Sequence, residues 1–240
     1  MKIERLVLKD KAQFVREMFA DIAPRYDLLN HLMTFGQDVR WRNEVIQRAA
    51  MPESGKLLDL GAGTGDLAFE ALEMCAACFS LAADFTIPMM MVGRIRQQVR
   101  GSRDNRLAWS AADAQLLPYA SGAFDAVVSA FLVRNLTDID ESLREQYRVL
   151  KRGGRIVILD TTPPPDRFYA PVLRFHLHTV IPILGKVIAG NSDAYTYLPD
   201  STEHFLAPEK LANKMLLAGF QKVAFRRLMF GAVAIHWGEK

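Results

Sequence analysis

Asp59-Leu60-Gly61-Ala62-Gly63-Thr64-Gly65-Asp66 joins an apolar run, Lys56–Leu60, to a helical stretch at Asp66–Ala77. A strand-to-helix turn needs a glycine where φ is positive. Glycines at three alternate positions exceed that need, and they let a ligand lie against bare backbone at the carboxyl edge of a sheet. The dinucleotide fingerprint G-x-G-x-x-G seats a pyrophosphate on the helix N-terminus. Here the third glycine, Gly65, comes one place early, and Asp59 and Asp66 flank the loop. Carboxylates repel a pyrophosphate. They suit a ligand carrying an ammonium and a sulfonium, which points to S-adenosylmethionine.

Further acids follow at strand ends. Asp84 closes the run Phe79–Ala83, near the ~20-residue offset at which a carboxylate meets ribose hydroxyls. The plainer alternative is a strand-end turn aspartate. Asp113 follows Leu107–Ala111 and is placed to accept from an adenine amino group, with the Ala114 backbone beside it. Asp-Ala after a strand is also ordinary turn chemistry. Arg134 and Asn135 follow the run Phe124–Ala130, at the edge where a transferable methyl would lie. Arginine stays protonated in proteins, so Arg134 reads as a fixed cation beside an ionising hydroxyl, with Asn135 orienting it or the hydroxyl. The plainer reading of Arg134 is a surface helix cap.

Such residues need an open sheet to hold them. Apolar runs alternate with helical stretches from 55 to 160, the last run being Arg155–Leu159, and Pro88–Arg100 and Ile139–Leu150 read as helices. That alternation argues a parallel sheet covered on both faces, and unbroken apolar strands fit such burial. Residues 1–50 show helical spacing through Phe14, Met18, Phe19 and Ile22, then Trp41, Val45 and Ile46. Thr162-Pro163-Pro164-Pro165 cannot be helix interior, and residues 163–206 read as an insertion. A helix at Pro208–Ala218 precedes the β-like runs Lys222–Phe230 and Ala232–Trp237. Strands joined so tightly must be antiparallel.

The motifs Asp59-Leu-Gly-Ala-Gly-Thr-Gly-Asp66, Asp84-Phe-Thr, Asp113-Ala-Gln-Leu-Leu-Pro118 and Arg148-Val-Leu-Lys-Arg-Gly-Gly154 resemble those of class I SAM-dependent methyltransferases. The resemblance implies an α/β, Rossmann-like fold whose seven-stranded sheet has its last strand antiparallel. It also implies a cofactor site at Asp59, Gly61, Gly63, Thr64, Gly65, Asp84, Phe85, Asp113, Ala114 and Ala130. Outside the core, Met18-Phe19-Ala-Asp-Ile-Ala-Pro-Arg-Tyr26-Asp27-Leu-Leu-Asn30, Arg134-Asn135-Leu-Thr-Asp138, Tyr195-Thr-Tyr197-Leu-Pro-Asp-Ser201 and Gly231-Ala-Val-Ala-Ile-His236 are similar to the ubiquinone and menaquinone biosynthesis C-methyltransferases. The likeness runs from about Phe14 to the C-terminus. It implies C-methylation of a polyprenyl quinol, with Arg134 and Asn135 catalytic and Tyr26, Asn30, Phe131, Leu132, Tyr195 and Tyr197 on the substrate. The organisation expected is one methyltransferase domain over 1–240: a helical cap at 1–50, the SAM-binding core at 51–160, a helical substrate-side insertion at 161–206 and the end of the sheet at 207–240. Where that family usually reads Ser-Phe-Gly-Leu before Arg-Asn, this chain has Ala130-Phe131-Leu132-Val133, so Leu132 is expected to narrow the substrate space. Asp160 stands where the family more often has glutamate.

Composition sets the remaining bounds. With 240 residues, 50% of them hydrophobic, and a net charge of +3, the chain has enough apolar material to fold and no pronounced basic excess. Arg94, Arg96, Arg100, Arg103 and Arg106 fit a solvated helix face and loop, so nucleic acid is not expected. A leader peptide and a membrane span are not expected. Cys75 and Cys78 read as small buried apolar residues late in a helix rather than a disulfide, redox or zinc pair, which makes a reducing cytoplasm the default. No metal is expected, since His176 and His178 lack acidic or cysteine neighbours. His204 and His236 are minor candidates as proton carriers. Residues 168–190, with Phe168, Tyr169, Phe175, Ile181, Val187 and Ile188 among them, are more apolar than a loop requires. They read as a lid that also meets lipid at the inner membrane face or another copy of the chain. The competing reading is a SAM methyltransferase for another small phenolic or amphipathic substrate. A non-catalytic SAM-binding protein fits less well, given Asp59, Gly61, Gly63, Asp84 and Arg134.

Overall fold

The computed structural model describes residues 2–100, 105–165, 167–168, 170–189 and 193–240, with side chains described outside 2–10, 187–189 and 193–196. The apolar runs become strands β1 (Lys56–Leu60), β2 (Phe79–Asp84), β3 (Leu107–Ala111), β4 (Phe124–Ala130), β5 (Leu150–Thr161), β6 (Gln221–Leu228) and β7 (Val233–Glu239). They form one seven-stranded sheet in the order β3-β2-β1-β4-β5-β7-β6. The pairings β1–β2, β1–β4, β2–β3 and β4–β5 are parallel, and β7 lies between β5 and β6, antiparallel to both.

Successive side chains on a strand point to opposite faces, and both faces here are covered. Leu58, Val127, Ile156 and Ile158 pack with Leu143 and Val149 of α6 (Ile139–Val149) and with Leu211 and Met215 of α10 (Pro208–Leu217). Their neighbours Leu57, Val128, Val157 and Leu159 pack on the other face with Trp41, Val45 and Ile46 of α3 (Gln37–Ala49) and Leu67 of α4 (Asp66–Met74). This two-sided burial is why the strands read as unbroken apolar runs. The helix α5 (Ile87–Val99) connects β2 to β3. At the start of α6 the Asp138 side chain accepts from the Glu141 amide at 2.9 Å, an N-cap.

Two helical segments meet over the carboxyl edge of the sheet. The first comprises α1 (Lys2–Ile22), α2 (Tyr26–Met33) and α3. The second comprises α7 (Ala170–Phe175), a π-helical stretch at His176–Val180, α8 (Ile181–Ala189) and α9 (Asp193–Glu203). Met18 and Ile22 of α1, Leu29 and Met33 of α2, and Leu177 and Ile181 of the second segment share one apolar cluster.

Some expectations change. The helix α4 stops at Met74, short of Ala77, because Cys75 turns extended and is disulfide-bonded to Cys78. The cysteines therefore close a local turn after the helix and are not the free apolar thiols expected within it. β5 begins at Leu150, taking in the hydrophilic Lys151–Gly154 stretch that obscured its start. Met229 (φ 47°) and Phe230 (φ 54°), as well as Gly231, take left-handed backbone between β6 and β7, so those strands end and begin further apart than apolar character indicates. Arg103, Tyr169 and the side chains of Val187, Ile188 and Tyr195 lie outside the described residues.

Candidate active site

The loop after β1 folds over the end of β2. The Gly61 and Ala62 amides donate to the Ala83 carbonyl at 2.8 and 3.0 Å. Asp84 Oδ2 accepts from the Gly63 amide at 2.8 Å, and its Oδ1 accepts from the Thr86 amide at 2.7 Å. Asp59 is buried beneath the loop and accepts from the Ala68 amide at 3.0 Å. Burial pushes its carboxyl up to about 8, and the Asp66 and Asp84 charges add to that, although the Ala68 bond opposes them. The loop leaves no room for side chains: a Cβ on Gly61, where φ is +68°, would lie 2.7 Å from the Leu132 Cδ1.

Three cavities meet here. One of about 780 Å³ is lined by Gly61, Gly63, Asp84, Phe85, Asp113, Ala114 and Ala130. A smaller one of about 350 Å³ lies beside the loop, with Asp59, Thr64, Asp66 and Arg42 on its walls. The third, of about 1020 Å³, is apolar and runs between the two helical segments, past Met18, Ile22, Leu29, Leu177 and Ile181. Tyr26 and Phe131 line all three. A bare glycine backbone with carboxylates below and beside it suits the nucleoside and ammonium of S-adenosylmethionine, so the residues present fit that cofactor.

Phe131 reaches this junction on strained backbone. Its φ is +59°, a left-handed setting that costs a bulky residue roughly 1–3 kcal/mol and tends to persist at functional sites. Next comes the 3-10 turn Val133–Asn135. Arg134 is buried, its Nη1 donating to Asp160 Oδ1 at 2.7 Å and its amide to Asp160 Oδ2 at 3.2 Å. The pairing offsets much of the cation's charge, so Arg134 offers a directed N–H more than a bare field. Its Nε is buried without a partner, the Asn30 side chain bonds the Tyr26 hydroxyl, and both Arg134 and Asn30 line the apolar cavity. Asn135 lines the 780 Å³ cavity and bonds within its own turn. Its Nδ2 donates to the Phe131 carbonyl at 3.0 Å, and its Oδ1 accepts from the Tyr197 hydroxyl at 3.2 Å. It therefore braces the turn, and Asp160 is the residue that orients Arg134.

Other expected residues are also re-placed. Leu132 folds against Gly61 and lines the 780 Å³ cavity, not the apolar one, so it narrows cofactor space. Gly65 lines none of the three cavities; a Cβ there would come within 2.6 Å of the Trp109 ring, which makes it a packing glycine. The Thr64 hydroxyl donates to Asp27 at 2.6 Å. Arg96 is not simply part of a solvated face, since it bonds Asp27 and Asp66, both at 2.7 Å. The N-terminal helices are thereby tied to the glycine loop, a contact hidden from sequence because its members lie far apart in the chain. His236 donates to the Pro208 carbonyl at 3.0 Å and His204 is exposed; neither lines the apolar cavity. No group of three or more potential metal ligands occurs among the described residues.

Residues 6–240 match the ubiE/COQ5 methyltransferase family. The demethylmenaquinone methyltransferase of Thermus thermophilus is 45% identical over 223 residues, covering 93% of this chain and 100% of that protein. The ubiquinone/menaquinone biosynthesis C-methyltransferase UbiE of Desulfotalea psychrophila is 40% identical over 240 residues, covering 100% and 96%. Among solved structures, the [4+2]-cyclase SpnF shares the fold with a TM-score of 0.71 at 18% identity, covering 95% of this chain and 96% of that one. Phosphoethanolamine N-methyltransferase 2 of Haemonchus contortus, solved with S-adenosyl-L-methionine, gives 0.63 at 14% identity, covering 84% and 52%. A cyclase and an N-methyltransferase on one scaffold show why the chemistry must be argued from the site.

Proposed function

Because the chain belongs to the ubiE/COQ5 methyltransferase family, we propose that this SAM-dependent methyltransferase methylates a ring carbon of a polyprenyl quinol. The reaction converts demethylmenaquinol to menaquinol, or performs the equivalent step on a ubiquinol precursor, in respiratory quinone biosynthesis. The observation that carries this reading is the apolar cavity of about 1020 Å³ with the buried cation Arg134 and the amide of Asn30 on its wall. A quinol offers a flat ring, two oxygens and a long hydrocarbon tail, which match the Phe131 and Tyr26 walls, the polar side chains of Arg134 and Asn30, and the Leu29, Leu177 and Ile181 lining. Mass spectrometry of quinones from a strain lacking the gene tests it. Quinones short of one ring methyl should accumulate, and an unchanged quinone profile would contradict the reading.

When bound, S-adenosylmethionine supplies an electrophilic methyl group on sulfonium. A ring carbon attacks it poorly unless a neighbouring hydroxyl has lost its proton to water; the products are the methylated ring and S-adenosylhomocysteine, with the displaced ring proton passing to solvent as aromaticity returns. Arg134, held by Asp160, donates toward that oxygen and favours the ionised form. Asn30 holds the other oxygen, and Phe131 and Tyr26 keep the ring facing the cofactor cavity. Such positioning supplies roughly 7–11 kcal/mol in well-oriented systems.

Asp59 makes cofactor binding depend on pH. With its carboxyl pushed up to about 8, Asp59 holds a proton in the free protein at neutral pH. An ammonium beside it favours the carboxylate, so binding releases that proton, and affinity rises as pH rises toward about 8. Calorimetry at neutral pH should show heats that vary with the ionisation enthalpy of the buffer. Asp59→Asn should abolish the variation, and the same variation in that variant would assign the proton to another group.

Support for lipid contact comes from the second helical segment and the residue leading into it. Ile181 is buried, lining the cavity, whereas Phe168, Phe175 and Ile183 are exposed on its outer side. No helix among the described residues is long and apolar enough to cross a membrane. A peripheral surface beside the cavity lets a membrane-dissolved tail enter without crossing water. Changing Phe168, Phe175 and Ile183 to serine should reduce flotation with anionic liposomes severalfold while the protein melts as before. Equal flotation would leave the segment as a packed lid only.

A further inference from the structure

The cofactor's amino-acid end is a zwitterion. Its ammonium is served by Asp59, but its carboxylate would meet only like charge on the sheet edge, where Asp59, Asp84 and Asp113 stand. Among the described residues lining the 780 and 350 Å³ cavities, Arg42 is the one cation. We propose that Arg42 binds the α-carboxylate of S-adenosylmethionine, which makes α3 of the N-terminal segment part of the cofactor site. This rests on S-adenosylmethionine being the cofactor.

Arg42 is held in place for that task. Its Nη1 lies 2.8 Å from Asp38 Oδ2 and its Nη2 2.9 Å from Asp66 Oδ2, with the side chain only 12% exposed. Asp38 is itself fixed by the Thr34 hydroxyl at 3.0 Å and His31 Nδ1 at 3.1 Å. Asp66 divides its charge between Arg42 and Arg96. A guanidinium has five N–H donors in one plane, so two such pairings leave donors for a further carboxylate. The cavity that Arg42 shares with Asp59 and Gly61 is small enough to place an anion and a cation on adjacent walls.

Calorimetry with three ligands tests the assignment: S-adenosylhomocysteine, its decarboxylated analogue, which keeps the ammonium, and 5′-methylthioadenosine, which lacks both groups. The wild-type protein should bind S-adenosylhomocysteine about 10- to 100-fold more tightly than the decarboxylated analogue, the size of one charge-assisted hydrogen-bonded contact. Arg42→Met should remove that gap by weakening S-adenosylhomocysteine alone, with the other two ligands unaffected. Arg42→Lys keeps charge opposite Asp38 and Asp66, so it folds under milder strain, and it should narrow the gap in part. Equal wild-type affinity for S-adenosylhomocysteine and the decarboxylated analogue overturns the proposal. So does a loss in Arg42→Met that is shared by all three ligands. No wild-type binding of S-adenosylhomocysteine would instead overturn the cofactor assignment beneath it.

Discussion

Arg134→Ala lowers the maximal rate of methyl transfer by ~100-fold or more, the size of losing one pre-organised donor, and leaves cofactor affinity almost unchanged. The rate falls because Arg134 lines the apolar cavity beside the strained Phe131 junction and is its buried cation there. Affinity holds because the acids of the cofactor cavities lie on other strands. Removing the guanidinium also leaves Asp160, 1% exposed, buried without its cation, a loss of about 3–5 kcal/mol for a broken buried pair. Rates are therefore compared well below the lowered Tm. Arg134→Lys should recover only part of the rate, since it restores charge but not the planar fork. A near-normal rate for a folded Arg134→Ala protein would mean that another group activates the ring.

Asp84→Ala weakens S-adenosylhomocysteine binding by more than tenfold, the consequence of losing a charged acceptor. The Gly63, Thr86 and Phe85 amides and the Thr86 hydroxyl all bond the Asp84 carboxylate, so the ribose hydroxyls meet an acceptor already fixed in direction at the cavity wall. Substitution thus costs both the ribose contacts and the bond that shapes the glycine loop. Asp84→Asn preserves the shape and should lose less. Unaltered binding by Asp84→Ala, measured by calorimetry, would move the ribose to another acceptor.

The sheet was legible because its strands are buried on both faces, so Leu57 and Leu58 are both apolar although they point oppositely. The glycine loop was legible because backbone without side chains leaves a mark in the sequence. Side-chain direction was not. Leu132 was expected beside the substrate, yet it closes on Gly61, because the left-handed Phe131 before it redirects the chain. Gly65 shares the loop's pattern but answers to Trp109. Arg42 and Arg96 carry no local signal, and Asp27 has only its place in the Met18–Asn30 motif. Their meaning comes from three helices brought to one loop, and in sequence each is an ordinary surface charge. Cys75 and Cys78 were hidden by the helical pattern ahead of them, which ends one residue before the pair.

The reaction proposed for this chain places the methyl on carbon rather than on oxygen. Purified protein is incubated with methyl-labelled S-adenosylmethionine and demethylmenaquinol under reducing conditions, and the product is located by mass spectrometry and nuclear magnetic resonance. The label should appear on the quinol ring carbon, giving menaquinol, and should be absent when the acceptor is kept oxidised. A methyl ether on a ring oxygen, or no transfer to the reduced quinol by a protein that binds the cofactor, would contradict the account.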